Sequence, residues 1–263
     1  MQRSPTPTLF TPTLPQPQKP LMIFLPGLDG TGKLLAPQVA GLSQYFDLRC
    51  LSIPDHNRQN WRSLAETVVE LIRREQDERL TYICGESYGG CLALQVAILA
   101  PSTLNRLILV NPASSLKWQI WAQGLLQAAP YAPEWLYSLA GPLAVHLLAD
   151  FGRIQSLWQR AFFENLQLVS QNCVNWRLSM LQNFEVATDQ LKRLKIPTAL
   201  LASGRDRLLP SYKEAQRLHQ FLPNSVTYLL PESGHVCLLE ESVNLVDCLA
   251  ALDFLPKPFS IKV

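Results

Sequence analysis

Short runs made mostly of apolar residues alternate with segments of helical periodicity along most of this chain of 263 residues. A strand that is apolar on both faces must be covered on both faces, which is the situation of strands in a parallel sheet. Such strands alternating with helices therefore predict an α/β protein with helices on both sides of a mostly parallel sheet. The runs are LMIFL (21–25), DLRCLSI (47–53), LTYIC (80–84), LNRLILV (104–110), IPTALLA (196–202) and SVTYLL (225–230).

An N-terminal extension and one long interruption divide this alternation into three parts. Residues 1–20 contain six prolines, which lack the amide donor of a central strand, so we expect an extended arm or a short edge strand. Residues 113–185 hold 11 of the 23 aromatic residues but only eight charged ones. We interpret 113–185 as a helical lid inserted into a core formed by 21–112 and 186–263. The alternative is that it adds two or three helices to the core.

Composition excludes several classes of protein. The net charge is +2 and the basic residues are scattered, so we expect no nucleic-acid partner. The six cysteines form no C-x-x-C pair and have no zinc spacing with the four histidines, which predicts no metal, no cofactor and a reducing compartment. The sequence has no long apolar run and no signal peptide pattern. These features predict a cytoplasmic protein, and they do not indicate its oligomeric state.

A G-x-S-x-G motif, GESYG (85–89), stands between a predicted strand and a predicted helix. In this motif the serine occupies a strained turn that exposes its hydroxyl at the carboxyl end of the sheet. Gly85 and Gly89 allow strand and helix to approach without a Cβ clash. We therefore predict that Ser87 is a nucleophile, against the alternative of a purely structural turn.

A serine nucleophile needs a base and a group that orients the base, and on this fold they follow in the order serine, acid, histidine. Asp206 comes directly after the strand 196–202, and His235 directly after the strand 225–230. We predict that they complete a triad with Ser87. The alternative for Asp206 is a loop carboxylate paired with a neighbouring arginine. Residues of the same types that fit less well by position are His56, His146, His219, Asp189 and Glu232.

A tetrahedral oxyanion needs two backbone N–H donors, one directly after the nucleophile and one from the loop that follows the first central strand. The first donor would be Tyr88. The loop is LPGLDGTG (25–32), where Gly27 precedes Leu28, and we predict the Leu28 amide as the second donor. The alternative is a tight turn without a catalytic part. The three glycines of this loop match no nucleotide-binding motif.

The segments FLPGLDGTG, GESYGGCLALQVA, LVNPASS, SGRDRLLPS and SGHVCLLEE together resemble the α/β-hydrolase region of the phytyl ester synthase family of photosynthetic organisms. The resemblance covers most of residues 21–255 and implies the same triad and the same oxyanion donors. It also implies long-chain acyl or phytyl esters as substrates, in or near thylakoid-type membranes. Plant members carry a second, acyltransferase-like region, so we expect only the serine-hydrolase half of the family's chemistry here.

The sequence thus predicts a serine hydrolase that cleaves an ester with a long acyl or phytyl group through an acyl-enzyme. One alternative is transfer of the acyl group to phytol or diacylglycerol by the same triad. A second alternative is a lipid binder without catalysis. The aromatic lid further suggests peripheral membrane contact through Trp118 and Trp121.

Overall fold

The apolar runs of the sequence form a seven-stranded sheet in the computed structural model, which describes residues 6–119 and 146–257. The order is β1-β3-β2-β4-β5-β6-β7, with β1 antiparallel to β3 and every other pair parallel. The parallel sheet predicted from the sequence is confirmed, and the proline-rich arm supplies only the short edge strand β1. The strands are β1 Thr8–Phe10, β2 Leu21–Leu25, β3 Asp47–Ser52, β4 Thr81–Glu86, β5 Arg106–Val110, β6 Thr198–Ser203 and β7 Ser225–Leu230.

Helices cover both faces of the sheet, and each face has its own buried apolar cluster. Residues of β2 alternate between the clusters: Leu21 and Ile23 face one, and Met22 and Phe24 the other. This is why the run is apolar throughout. The helices are α1 Ala36–Leu42, α2 Trp61–Glu75, α3 Tyr88–Leu99, α4 Ser156–Gln167, α5 Gln171–Gln182, α6 Thr188–Arg193, α7 Ser211–Phe221 and α8 Leu245–Ala251. None of the helices in the described ranges is long and apolar enough to cross a membrane.

The last helix begins later than its pattern predicts. The sequence favours a helix from about Glu240 to Leu252, whereas α8 starts at Leu245 with the Asn244 side chain accepting a hydrogen bond from the Val246 amide at 2.9 Å. The Glu240 side chain makes a tertiary contact instead: its carboxylate accepts a hydrogen bond from the Gly234 amide at 2.7 Å. The first turn of the predicted helix is thus replaced by a connection to the loop that carries His235.

The described part of the predicted lid packs in two places. Helix α4 contributes Phe162 to a small separate cluster. Helix α5 instead contributes Met180 and Leu181 to the larger of the two apolar clusters that cover the faces of the sheet. The remaining part, residues 120–145, lies outside the described residues, as does Trp121 of the predicted membrane contact.

All six cysteines are buried free thiols. Burial raises the pKa of Cys50 to about 12 and that of Cys248 to about 11. Such thiols are protonated near neutral pH and are poor nucleophiles.

Candidate active site

Ser87 lies in a strained turn between β4 and α3. Its backbone has φ 52° and ψ −112°, a conformation that non-glycine residues rarely adopt. The neighbouring strand holds the turn, since the Ser87 amide donates to the Val110 carbonyl at 2.9 Å. The Ser87 carbonyl in turn accepts the Ala113 amide at 3.1 Å. The side chain is thereby fixed at the carboxyl edge of the sheet.

The two glycines that flank Ser87 are required by space. A Cβ on Gly85 would lie 2.2 Å from the Gly89 carbonyl oxygen, and one on Gly89 would lie 2.1 Å from the Leu25 carbonyl oxygen. Both neighbours are backbone atoms that cannot move aside. Strand and helix therefore meet here as closely as the motif predicts.

The structure brings Ser87, His235 and Asp206 into one hydrogen-bonded chain. His235 Nε2 lies 2.9 Å from Ser87 Oγ, and His235 Nδ1 lies 2.7 Å from Asp206 Oδ2. The His235 and Asp206 side chains are 3% and 1% exposed. These short contacts arise because all three residues follow the carboxyl ends of parallel strands, which share one edge of the sheet.

Charge and burial act together on the two titratable members. Burial raises the pKa of Asp206, but the nearby His235 and the hydrogen bonds that the carboxylate accepts lower it below its usual value. Burial lowers the pKa of His235, but Asp206 raises it, and the net shift is upward. An ionised Asp206 accepts a hydrogen bond from the Nδ1–H of a neutral His235 ring. The lone pair of Nε2 then faces Ser87.

The Asp206 carboxylate is held by its own loop. Oδ1 accepts the amides of Leu208 and Leu209, each at 2.9 Å, and Oδ2 accepts the Ser211 hydroxyl. Arg205 pairs with Glu232 at 2.5 Å on the surface and not with Asp206. The carboxylate is therefore aimed at His235 by several fixed donors.

The other candidates lie away from this chain. The His56 side chain is 83% exposed, and His219 Nδ1 lies 2.9 Å from Ser225 Oγ. The His146 ring packs edge-on against Phe151. Asp189 lies in α6, before β6 begins.

The loop predicted to supply an oxyanion donor lies beside the nucleophile. A Cβ on Gly27 would lie 3.9 Å from Ser87 Cβ. The Gly27 carbonyl accepts the Gly30 amide at 3.1 Å, so the Leu28 N–H of the same trans peptide points the opposite way, out of the turn. Tyr88 is the first residue of α3, and the first amides of a helix have no acceptor within it. The loop that contains Leu28 thus lies beside Ser87, and Tyr88 follows Ser87 directly in the chain.

Asn111 is a buried residue beside the site that the sequence analysis did not identify. It is fully buried with φ 44°, and its Nδ2 donates to Ser203 Oγ and to the His235 carbonyl, both at 2.8 Å. Its Oδ1 accepts the Ser203 amide at 2.8 Å. One side chain therefore ties the ends of β5 and β6 to the histidine loop. The signal in the sequence was an asparagine at a strand end, inside LVNPASS.

Glu86, directly before the nucleophile, is a buried carboxyl group. Burial raises its pKa to about 7, with His235 opposing this shift and Asp29 adding to it. In its ionised form Glu86 also helps to raise the pKa of His235. The site therefore contains a second carboxyl group besides Asp206, and the pKa of this second group lies near neutral pH. Across residues 6–119 and 146–257, no cluster of histidine, cysteine and acidic side chains is arranged to hold a metal ion.

Comparison with known proteins relates this chain to a family of hydrolases. A family model described as "Serine aminopeptidase, S33" matches residues 60–242. Phytyl ester synthase 1, chloroplastic, of Arabidopsis thaliana is 34% identical over 88% of this chain, and phytyl ester synthase 2, chloroplastic, is 29% identical over 89%. The chain spans only 36% and 38% of the lengths of these two relatives. The putative carbamate hydrolase RutD of Pseudomonas savastanoi pv. phaseolicola is 27% identical over 90% of this chain and 93% of its own length.

Solved structures share the fold at low sequence identity. MenH from S. aureus has a TM-score of 0.71 at 16% identity and covers 95% of this chain and 97% of its own. A lipase-esterase related protein from Clostridium acetobutylicum has a TM-score of 0.75 at 13% identity, covering 95% of this chain and all of its own. The fold is the α/β-hydrolase fold that the sequence predicts.

Proposed function

The chain belongs to the "Serine aminopeptidase, S33" family of α/β-hydrolases, and we propose that it is a serine hydrolase that cleaves a carboxylic ester with a bulky apolar group. The observation that carries this proposal is the continuous hydrogen-bonded chain from Ser87 through His235 to Asp206. The constellation matches in geometry and order the one that activates a serine hydroxyl for attack on a carbonyl.

The first half of the reaction forms an acyl-enzyme. Ser87 Oγ attacks the ester carbonyl carbon while its proton passes to His235 Nε2, and Asp206 stabilises the imidazolium that results. The carbonyl oxygen becomes an oxyanion that accepts hydrogen bonds from the Leu28 and Tyr88 amides. The carbonyl re-forms as the bond to the alcohol oxygen breaks, and the imidazolium gives its proton to that oxygen.

The second half returns the enzyme to its starting state. Water attacks the acyl carbonyl as its proton passes to His235, and the same two amides stabilise the second oxyanion. The bond to Ser87 Oγ then breaks, Oγ recovers the proton, and the carboxylic acid leaves. The reaction consumes one ester and one water and needs no redox partner.

An apolar substrate is supported by composition and by likeness. Residues 113–185 combine many aromatic with few charged side chains. This composition is expected of a segment that lines the binding pocket of an apolar group. Two relatives of this chain are named phytyl ester synthases. The test is hydrolysis of a series from short nitrophenyl esters to phytyl esters, with Ser87→Ala as the blank. Preference for the long apolar esters is expected, and a preference for short or polar esters would reject this substrate class.

Acyl transfer is a second candidate, favoured by the 34% identity to a protein named as a synthase. Transfer shares the acyl-enzyme and differs only in that an alcohol, and not water, attacks it. Product analysis with an acyl donor, with and without phytol, separates the two reactions. Free acid as the main product in both cases supports hydrolysis, and phytyl ester as the main product supports transfer.

A further inference from the structure

Arg177 of α5 is a buried arginine whose terminal nitrogens contact backbone carbonyl oxygens. Its side chain donates from Nη1 to the Leu28 carbonyl at 2.7 Å and from Nη2 to the Ile53 carbonyl at 2.9 Å. The residue is 2% exposed, and within the described ranges it forms no ion pair. A buried guanidinium without a carboxylate is costly to desolvate, and an apolar side chain of similar volume fills such a space at less cost. Packing alone therefore does not account for an arginine here.

The two carbonyl contacts fix the loop around the predicted oxyanion donor. Arg177 holds the peptide unit after Leu28, and the Gly27–Gly30 hydrogen bond of 3.1 Å holds the peptide unit before it. With both planar units fixed, the Leu28 backbone cannot rotate and its N–H keeps one direction. Ile53 closes the arrangement, since its amide donates to the Gly30 carbonyl at 2.7 Å while its carbonyl accepts from Arg177.

Gly30 is shaped to receive the guanidinium. Its φ of +69° favours glycine, and a Cβ there would lie 2.4 Å from Arg177 Nη1. The guanidinium therefore occupies the space in which any residue other than glycine at position 30 would place its side chain. The loop conformation and the arginine depend on each other.

Helix α5 also supports the residue that supplies the other donor. The Tyr88 hydroxyl lies 3.5 Å from Met180 Sδ, and the Trp61 indole N–H donates to the Met180 carbonyl at 2.7 Å while its ring packs on Tyr88. Arg177 and Met180 are three residues apart on the same helix. One helix therefore contacts both residues that are predicted to supply the oxyanion donors.

We propose that Arg177 is a positioning residue that fixes the Leu28 N–H toward the oxyanion. This inference rests on the proposed function, because it assigns a role in stabilising the intermediate of that reaction. The oxyanion exists only after attack, so the loss of Arg177 should lower kcat and leave KM nearly unchanged.

The test compares Arg177→Met, which removes the donors and keeps the volume, with Arg177→Lys, which keeps the charge and one donor. Arg49→Met is a control for the loss of a buried arginine: Arg49 is also buried and its Nη1 also donates to a backbone carbonyl, that of Leu48, on β3. Unlike Arg177, Arg49 also pairs with Asp47 and Glu75, so its loss is expected to cost more stability without acting on the loop 27–32. Steady-state kinetics on a nitrophenyl ester and hydrogen exchange of residues 27–32 are measured at a temperature at which every variant is folded.

We expect Arg177→Met to lower kcat on the order of 10²-fold with KM changed by less than about threefold. Arg177→Lys should recover part of the loss, and exchange in 27–32 should rise in Arg177→Met but not in Arg49→Met. An unchanged kcat, an effect confined to KM, or exchange equal to that of Arg49→Met would overturn the proposal. A wild-type protein that hydrolyses no ester would reject the proposed function instead, and the exchange comparison would still decide whether Arg177 fixes the loop.

Discussion

His235 Nε2 and Ser87 Oγ lie 2.9 Å apart although 148 residues separate them in the chain. The contact joins the loop after β7 to the turn after β4, two strands that are not neighbours in the sheet. Asn111 lies at the end of β5, between them, and its Nδ2 donates to the His235 carbonyl at 2.8 Å. The alignment of Ser87 with His235 therefore involves residues from several strand ends at this edge of the sheet.

Changing Asp206 to Asn should abolish most activity without unfolding the protein. The amide can donate to Nδ1, which would favour the tautomer with its proton on Nε2, and that tautomer cannot accept the serine proton. We expect kcat to fall on the order of 10⁴-fold, measured on a soluble ester. Glu232→Gln, which breaks the nearby surface pair with Arg205, is the control and should keep full activity. A drop of less than about tenfold in Asp206→Asn would argue for another acid.

Activity should fall as the pH drops, because His235 must be neutral to accept a proton. Burial lowers the pKa of His235, while Asp206 and Glu86 raise it, and the net value lies above the usual one. Removing the charge in Glu86→Gln should therefore lower this pKa and move the acid limb of kcat/KM toward lower pH. The pH profiles of wild type and variant are the measurement. An unmoved limb, or one shifted to higher pH, would contradict the coupling.

Asn111→Ala should destabilise the protein and slow the reaction together. The substitution leaves the Ser203 amide and the His235 carbonyl without their buried partner, and each such group costs about 1–3 kcal/mol. We expect the free energy of unfolding to fall by about 2–4 kcal/mol in urea, with a lower kcat. Asn224→Ala is the comparison, since its exposed amide also donates to a backbone carbonyl, that of Lys195. Equal effects of the two variants would remove the special role of Asn111.

Two glycine-to-alanine substitutions should have opposite effects on stability. In Gly89→Ala the new Cβ would meet the Leu25 carbonyl oxygen at 2.1 Å, so we expect a loss of about 3 kcal/mol or failure to fold. In Gly41→Ala, within α1, the nearest atom would be Val246 Cγ2 at 3.4 Å. This variant should gain about 0.5–1 kcal/mol, because alanine loses less entropy in a helix. Thermal unfolding compares them, and a tolerated Gly89→Ala would refute the close approach.

The sheet and the candidate triad of Ser87, Asp206 and His235 could be predicted from local signals in the sequence. Apolar runs mark the strands, which are buried except at the edge strand β7. The order serine, acid, histidine after separate strands follows from strand ends sharing one edge. The start of α8 could not be predicted, because Glu240 reaches back to the Gly234 amide instead of starting a helix. This hydrogen bond is a tertiary contact, which a local helix pattern does not reveal.

The residues that hold the site in place had no such signal. Arg177 lies within the aromatic segment interpreted as a lid, and its acceptors are carbonyl groups of Leu28 and Ile53, 149 and 124 residues away. Any residue offers a backbone carbonyl, so no side-chain pattern marks such a partner. Asn111 lies in LVNPASS, one of the segments that carry the family resemblance, but its contacts follow from the positions of β6 and the His235 loop.

The most direct test of the account is the reaction of wild type and Ser87→Ala with a fluorophosphonate probe, alongside ester turnover. We expect the wild-type protein to be labelled on Ser87 and to hydrolyse ester. In Ser87→Ala, labelling should be lost and kcat should fall on the order of 10⁶-fold. Undiminished labelling and turnover in Ser87→Ala would show that the nucleophile lies elsewhere and contradict the account.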